Sequence, residues 1–149
     1  SSNGGHISNP TVDGPARSIA MSLKDANIQA NVIDYINAHA TSTPVGDSSE
    51  AQALDKIFSE CKPLVSSTKS MTGHLLGAAG AIESVATIMA VMTDTVPPTI
   101  NIQDLDPAID SRLNLTANVA QKRVVNAAIS NTFGFGGHNA CVLFKKFEN

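Results

Sequence analysis

The chain has 149 residues, of which 42% are hydrophobic and 15% charged, and its net charge is −3. A disordered segment is excluded, and one core-forming domain spanning residues 1–149 is expected. With 4% aromatics, no Trp and no basic stripe, nucleic acid is not an expected partner.

The apolar residues Ala16, Ile19, Ala20, Leu23 and Ala26 predict a helix over 14–27, with Asp13 as its N-cap. Residues 32–39 read as a mostly buried strand that ends in a loop, 40–47, rich in Thr, Ser, Pro and Gly. Asp47 or Ser48 is then expected to cap a helix running to about Glu60, with Ala51, Leu54, Ile57 and Phe58 facing inward. A short strand over 63–67 leads into a second Ser/Thr/Gly loop that ends at His74.

Residues 75–93 are the most apolar stretch, yet Glu83, Ser84 and Thr87 interrupt it. A carboxylate at mid-bilayer costs about 3 kcal/mol, so a buried central helix is expected and not a membrane span. The glycines of Gly77-Ala78-Ala79-Gly80-Ala81 predict close approach of another backbone. Beyond Pro97-Pro98, strands are expected over 113–117, 124–130 and 140–144. Helices alternating with strands, then strands alone, predict an α/β layered domain with a mixed sheet.

Cys61 and Cys141 lie 80 positions apart, without metal or redox spacing, which suits a reduced intracellular protein. The chain opens Ser1-Ser2-Asn3-Gly4-Gly5-His6, with no basic or apolar leader pattern, and reads as a sequence entered at a loop. There is no G-x-S-x-G elbow, no H-E-x-x-H and no phosphate-binding loop. Gly134-Phe135-Gly136-Gly137 lacks the third glycine of a dinucleotide loop and leads into a strand.

Two histidines stand out. His39 closes a strand and His74 precedes the apolar helix, each beside small hydroxyl residues. The positive end of a helix dipole disfavours a charged imidazole, and a neutral one donates from one nitrogen. A pair could therefore stabilise a developing oxyanion; alternatively, each simply fills or caps a loop. Glu83 on its apolar helix needs a cation, and Lys69 is the candidate, either as a structural salt bridge or as a charge set near His74. Asn131 to Asn139 reads as a glycine-rich connection between strands, whose two phenylalanines either move or anchor a hairpin. His6 and His138 have no role in this reading.

Three motifs then converge: Asn37-Ala38-His39-Ala40-Thr41-Ser42-Thr43, the run from Thr68 to Gly80, and Asn131-Thr132-Phe133-Gly134-Phe135-Gly136-Gly137. In this order they resemble the C-terminal half of the condensing enzymes, nearest the bacterial 3-oxoacyl-(acyl-carrier-protein) synthases of the elongating type II. The resemblance implies a thiolase-like fold of two similar halves in α-β-α-β-α layers. It also implies decarboxylative Claisen condensation in fatty acid elongation, in the bacterial cytoplasm. By the same resemblance His39 and His74 are the catalytic histidines, Lys69 belongs to their site, and Glu83 is its buried ionic partner. Thr41 and Thr43 would hydrogen-bond the pantetheine arm, and Phe133 would be the gate.

No cofactor is implied as essential. Some members carry a structural monovalent cation at positions matching Asn37, Glu83, Ser130 and Asn131. The implied partners are acyl- and malonyl-carrier protein, an N-terminal half holding the nucleophilic cysteine, and a second subunit in a homodimer. Neither Cys61 nor Cys141 matches that cysteine, so this chain alone is expected to be inactive. A non-catalytic pairing or carrier-docking domain is the alternative.

Overall fold

The structure, a computed structural model, describes residues 1–2, 12–106, 109 and 113–147. His6 lies outside them. Three short apolar runs become the centre of a sheet: β1 (Tyr35–Asn37), β2 (Leu64–Ser66) and β6 (Ala127–Gly134). They pair in parallel, with β1 in the middle, and β4 (Asn114–Leu115) extends the sheet beyond β2. On the other side β7 (His138–Lys145) returns antiparallel to β6, giving the order β4-β2-β1-β6-β7. This is the expected mixed sheet.

Alternation along the strands feeds two cores. Ile36, Val65 and Ile129 point towards Ile19 and Leu23 of α1 (Asp13–Asp25) and Leu54 and Phe58 of α2 (Pro44–Phe58). Tyr35, Leu64 and Ala128 point to the opposite face, against Ala90 and Val91 of α4 (Ala79–Thr93). The sheet is thus covered by helices on both faces, as a parallel sheet must be.

Several boundaries differ from the sequence reading. Asp13 is not the N-cap of α1: Val12 holds that position in helical geometry and makes no side-chain cap hydrogen bond. Residues 30–32 form a 3-10 turn, so the strand expected from 32 begins only at Tyr35. α2 starts at Pro44, not at Asp47, because proline's fixed φ suits a first helical position. Asp47 instead accepts a hydrogen bond from the Thr43 amide at 3.3 Å. The loop before His74 contains a one-turn helix, α3 (Lys69–Thr72). Most of the expected glycine-rich connection is strand, since β6 runs to Gly134 and only Phe135–Gly137 turn. A two-stranded sheet of β3 (Thr95–Val96) and β5 (Gln121–Lys122) was not foreseen; strands this short carry no readable periodicity.

α4 is the expected central helix on one side only; the resemblance, in which this helix packs against the other half and a second subunit, implies such exposure for the chain alone. Its inner face buries Ala79, Glu83, Thr87, Ala90 and Val91, but Ile82, Val85, Ile88, Met89 and Met92 are exposed. It is a central helix covered on one side. Among the described residues no second backbone approaches Gly77 or Gly80: Gly77 faces open space, and the close neighbour of Gly80 is the Thr132 side chain. Residues 76–93 are long and apolar enough to cross a membrane, yet Glu83 and Thr87 bond inward to Lys69 and Asn37 and tie the helix to the sheet. An unpartnered stripe of this kind drives association. The isolated chain is expected to bind an apolar dye or to self-associate at micromolar concentration. A dye-silent monomer in sedimentation measurements would contradict that.

Candidate active site

The parallel strands aim their carboxyl ends at one edge of the sheet, where open α/β sheets place ligands. His39 lies two residues beyond β1 and Lys69 three beyond β2, while Phe133 is still within β6. These separate stretches of sequence therefore meet at one edge. The rings of His39 and His74 lie 5.4 Å apart, centroid to centroid, and are nearly perpendicular at 87°. Phe133 is a second ring neighbour of His39, with ring centres 5.8 Å apart and planes tilted by 58°.

Each histidine is held differently. His39 is half-buried, and burial, together with the Lys69 charge and His74, pushes its pKa down to about 3. It is neutral throughout the physiological range. Its Nδ1 is buried and has no hydrogen-bond partner among the described residues. His74 follows Gly73, which ends α3 at φ +74°, a conformation glycine adopts without strain. The His74 Nδ1 accepts a hydrogen bond from the Leu76 amide at 3.1 Å. In the neutral ring the proton must then sit on Nε2, leaving that nitrogen as donor.

Lys69 and Glu83 form an ion pair with both side chains buried. Asn37 ties the backbones that carry it together. Its amide nitrogen donates to Thr68 Oγ1 at 3.1 Å and to the Glu83 carbonyl and Thr87 Oγ1 at 3.3 Å each. Its oxygen accepts from the amide and hydroxyl of Thr68. Thr41 and Thr43 join hydroxyls at 3.2 Å.

One residue of the site went unread. Glu50 is buried on α2, and its two oxygens accept the amides of His39 at 3.0 Å and Ala40 at 2.8 Å. Oε1 also accepts from Asn131 Nδ2 at 3.2 Å, so one carboxylate joins the His39 loop to the strand carrying Phe133. Burial raises its pKa against these donors. The signal was present: Glu50, Leu54 and Phe58 recur every four residues, which puts the carboxylate on the inward face. A cavity of about 800 Å³ borders this edge, lined by Thr41, Glu50, Lys69 and His74 among others.

The residues matched to a cation fit it in part. Glu83 Oε2, Ser130 Oγ and Asn131 Oδ1 are buried oxygens without a hydrogen-bond partner among the described residues. Hard oxygens of this kind suit an alkali cation. The Asn37 side chain does not fit, because its hydrogen bonds already occupy it.

Neither cysteine is a nucleophile for this edge. Cys61 follows α2 and precedes β2, which places it at the opposite end of the parallel strands from His39. Cys141 lies in β7, 3.1 Å from Ser22 Oγ, and burial pushes its thiol up to about 11. His138 opens β7, its ring near Gly136.

Comparison with known proteins shows the family and the fold. Residues 1–103 match the family described as beta-ketoacyl synthase, C-terminal domain. The chain is 47% identical over 147 residues to 3-oxoacyl-(acyl-carrier-protein) synthase 2 of a Synechocystis species, covering 96% of this chain and 35% of that protein. It is 48% identical over 147 residues to the synthase 2 of Staphylococcus aureus, with the same coverage. It thus spans about a third of the length of these relatives. Among solved structures, a beta-ketoacyl synthase from Burkholderia phymatum superposes with a TM-score of 0.94 at 38% identity, over 99% of this chain and 36% of that one. A type II polyketide ketosynthase in complex with its acyl carrier protein superposes with a TM-score of 0.92 at 35% identity, over 99% of this chain and 37% of that one. The fold is therefore thiolase-like, and the chain belongs to the beta-ketoacyl synthase family, whose C-terminal domain it matches.

Proposed function

We propose that these residues form the C-terminal part of a 3-oxoacyl-(acyl-carrier-protein) synthase and supply the histidine side of its condensation site. The observation that carries this reading is the perpendicular His39–His74 pair, in which burial keeps His39 uncharged. Malonyl thioester loses carbon dioxide when the bond between its carboxylate carbon and methylene carbon breaks. The electron pair moves into an enolate, and negative charge gathers on the thioester oxygen. Neutral N–H donors directed at that oxygen lower the barrier, because they favour the charged transition state over the neutral carbonyl. The enolate carbon then attacks an acyl thioester on a cysteine, and the thiolate leaves.

That cysteine must come from outside these residues, since Cys61 and Cys141 are both misplaced. The relatives are nearly three times as long, and their remaining length is the natural cover for the bare face of α4. Thr41 and Thr43 grip the pantetheine arm, and Phe133 gates access to His39. Glu83, Ser130 and Asn131 hold a monovalent cation, which supplies fixed positive charge between α4 and β6. Acyl carrier protein is the partner that brings both substrates, as it is bound in the polyketide ketosynthase complex, and the whole enzyme works as a homodimer.

The test is reconstitution. The chain alone is expected to form no 3-oxoacyl product from acyl- and malonyl-carrier protein. Joined to the remaining two thirds of a synthase it should form that product. Failure of the joined protein to condense, with its fold intact by circular dichroism, would overturn the proposal in favour of a non-catalytic pairing domain.

A further inference from the structure

Gly46 is the third residue of α2, and its φ lies outside the left-handed region. Nothing in the backbone there requires glycine. In a helix interior alanine is the better residue, because it loses less chain entropy on folding. The reason for glycine lies in what surrounds the missing side chain. A Cβ built at this position overlaps Thr43 Oγ1, with Thr43 Cβ at 3.8 Å and Thr41 Oγ1 at 3.9 Å. The hydroxyl of Thr43 therefore occupies the space that any other residue would fill, and there it meets Thr41 Oγ1 at 3.2 Å.

We infer that Gly46 is a positioning residue for the pantetheine arm, acting through Thr43. This rests on the reading above that Thr41 and Thr43 bind that arm. Threonine has three staggered χ1 wells, which present Oγ1, Cγ2 or hydrogen to a given neighbour. Glycine at 46 leaves open the well that points Oγ1 at the helix. Alanine closes it and closes the Cγ2 well as well, since a methyl group is no smaller than a hydroxyl. Only the well that turns hydrogen towards residue 46 survives. It moves Oγ1 out of the position from which it meets Thr41 Oγ1 at 3.2 Å. One atom added outside the chemistry thus removes a donor from the substrate arm and leaves His39 and His74 in place.

The experiment is a double-mutant cycle in a complete synthase carrying these residues, with malonyl-pantetheine as substrate and decarboxylation as readout. Thr43→Ala alone should raise KM about 3- to 10-fold, the worth of one hydrogen bond, with kcat unchanged. Gly46→Ala alone should raise KM by a similar factor while its melting temperature stays equal to or above that of the parent. In the Thr43→Ala background the clash has no partner, so Gly46→Ala should add nothing further. Full additivity of the two changes would overturn the inference, as would a lowered melting temperature. A Thr43→Ala effect on KM without a Gly46→Ala effect would overturn the inference and leave the threonine reading standing. No KM change in Thr43→Ala would overturn both.

Discussion

Replacing His39 or His74 with Ala in the complete synthase is expected to slow malonyl decarboxylation about 100- to 1,000-fold each, the usual cost of losing one oxyanion donor. The double variant should lose less than the product of the two factors, because both donors serve one oxygen. pH adds a second measure. With a pKa of about 3, His39 keeps its neutral form as pH falls from 8 to 5, whereas an ordinary imidazole would become charged near 6.5. The rate should therefore show no loss near pH 6.5 attributable to His39. Stopped-flow or gas-release assays of carbon dioxide across that range check both statements. Retained activity in both single variants would remove the oxyanion role from the pair.

The buried ion pair gives the largest expected effect on stability. In buffer free of alkali cations, Lys69→Met leaves the Glu83 carboxylate without a counter-charge inside the protein, and Glu83→Leu strands the Lys69 cation. Stranding a buried charge costs about 3–5 kcal/mol, whereas removing both partners together is often neutral. Each single variant should therefore be strongly destabilised in urea titration, and the double variant Lys69→Met/Glu83→Leu should recover most of the loss. Decarboxylation should not recover with it, because the Lys69 charge beside His39 is gone. Single variants within about 1 kcal/mol of the parent would show a pair no stronger than an exposed one.

Asn37 sits between these two effects. It is fully buried, lies on β1 two residues before His39, and bonds to the Glu83 carbonyl and to Thr68, the neighbour of Lys69. The geometry of the ion pair and of the first histidine is thereby set by one amide. Glu50 does the same from the other side, through the amides of His39 and Ala40 and the side chain of Asn131. Neither bridge involves neighbours in sequence.

Much was legible in the residues alone. Apolar spacing marks α1, α2 and α4 as helices, and short apolar runs bounded by loop residues mark β1, β2 and β7, because these signals are local. The need of Glu83 for a cation was equally readable, since a carboxylate on an apolar helix has few ways to be satisfied. The hydrophobic stripe of α4 also showed that something must cover it. Tertiary structure alone decided the rest. Which strands adjoin, how His39 meets His74 and Phe133, and which lone carboxylate holds the His39 loop depend on contacts between residues tens of positions apart. Such contacts form when the chain buries its apolar faces, and no local pattern records them. Gly46 shows the same division: its identity is in the sequence, but the hydroxyl that requires it appears only once α2 and its preceding loop are folded.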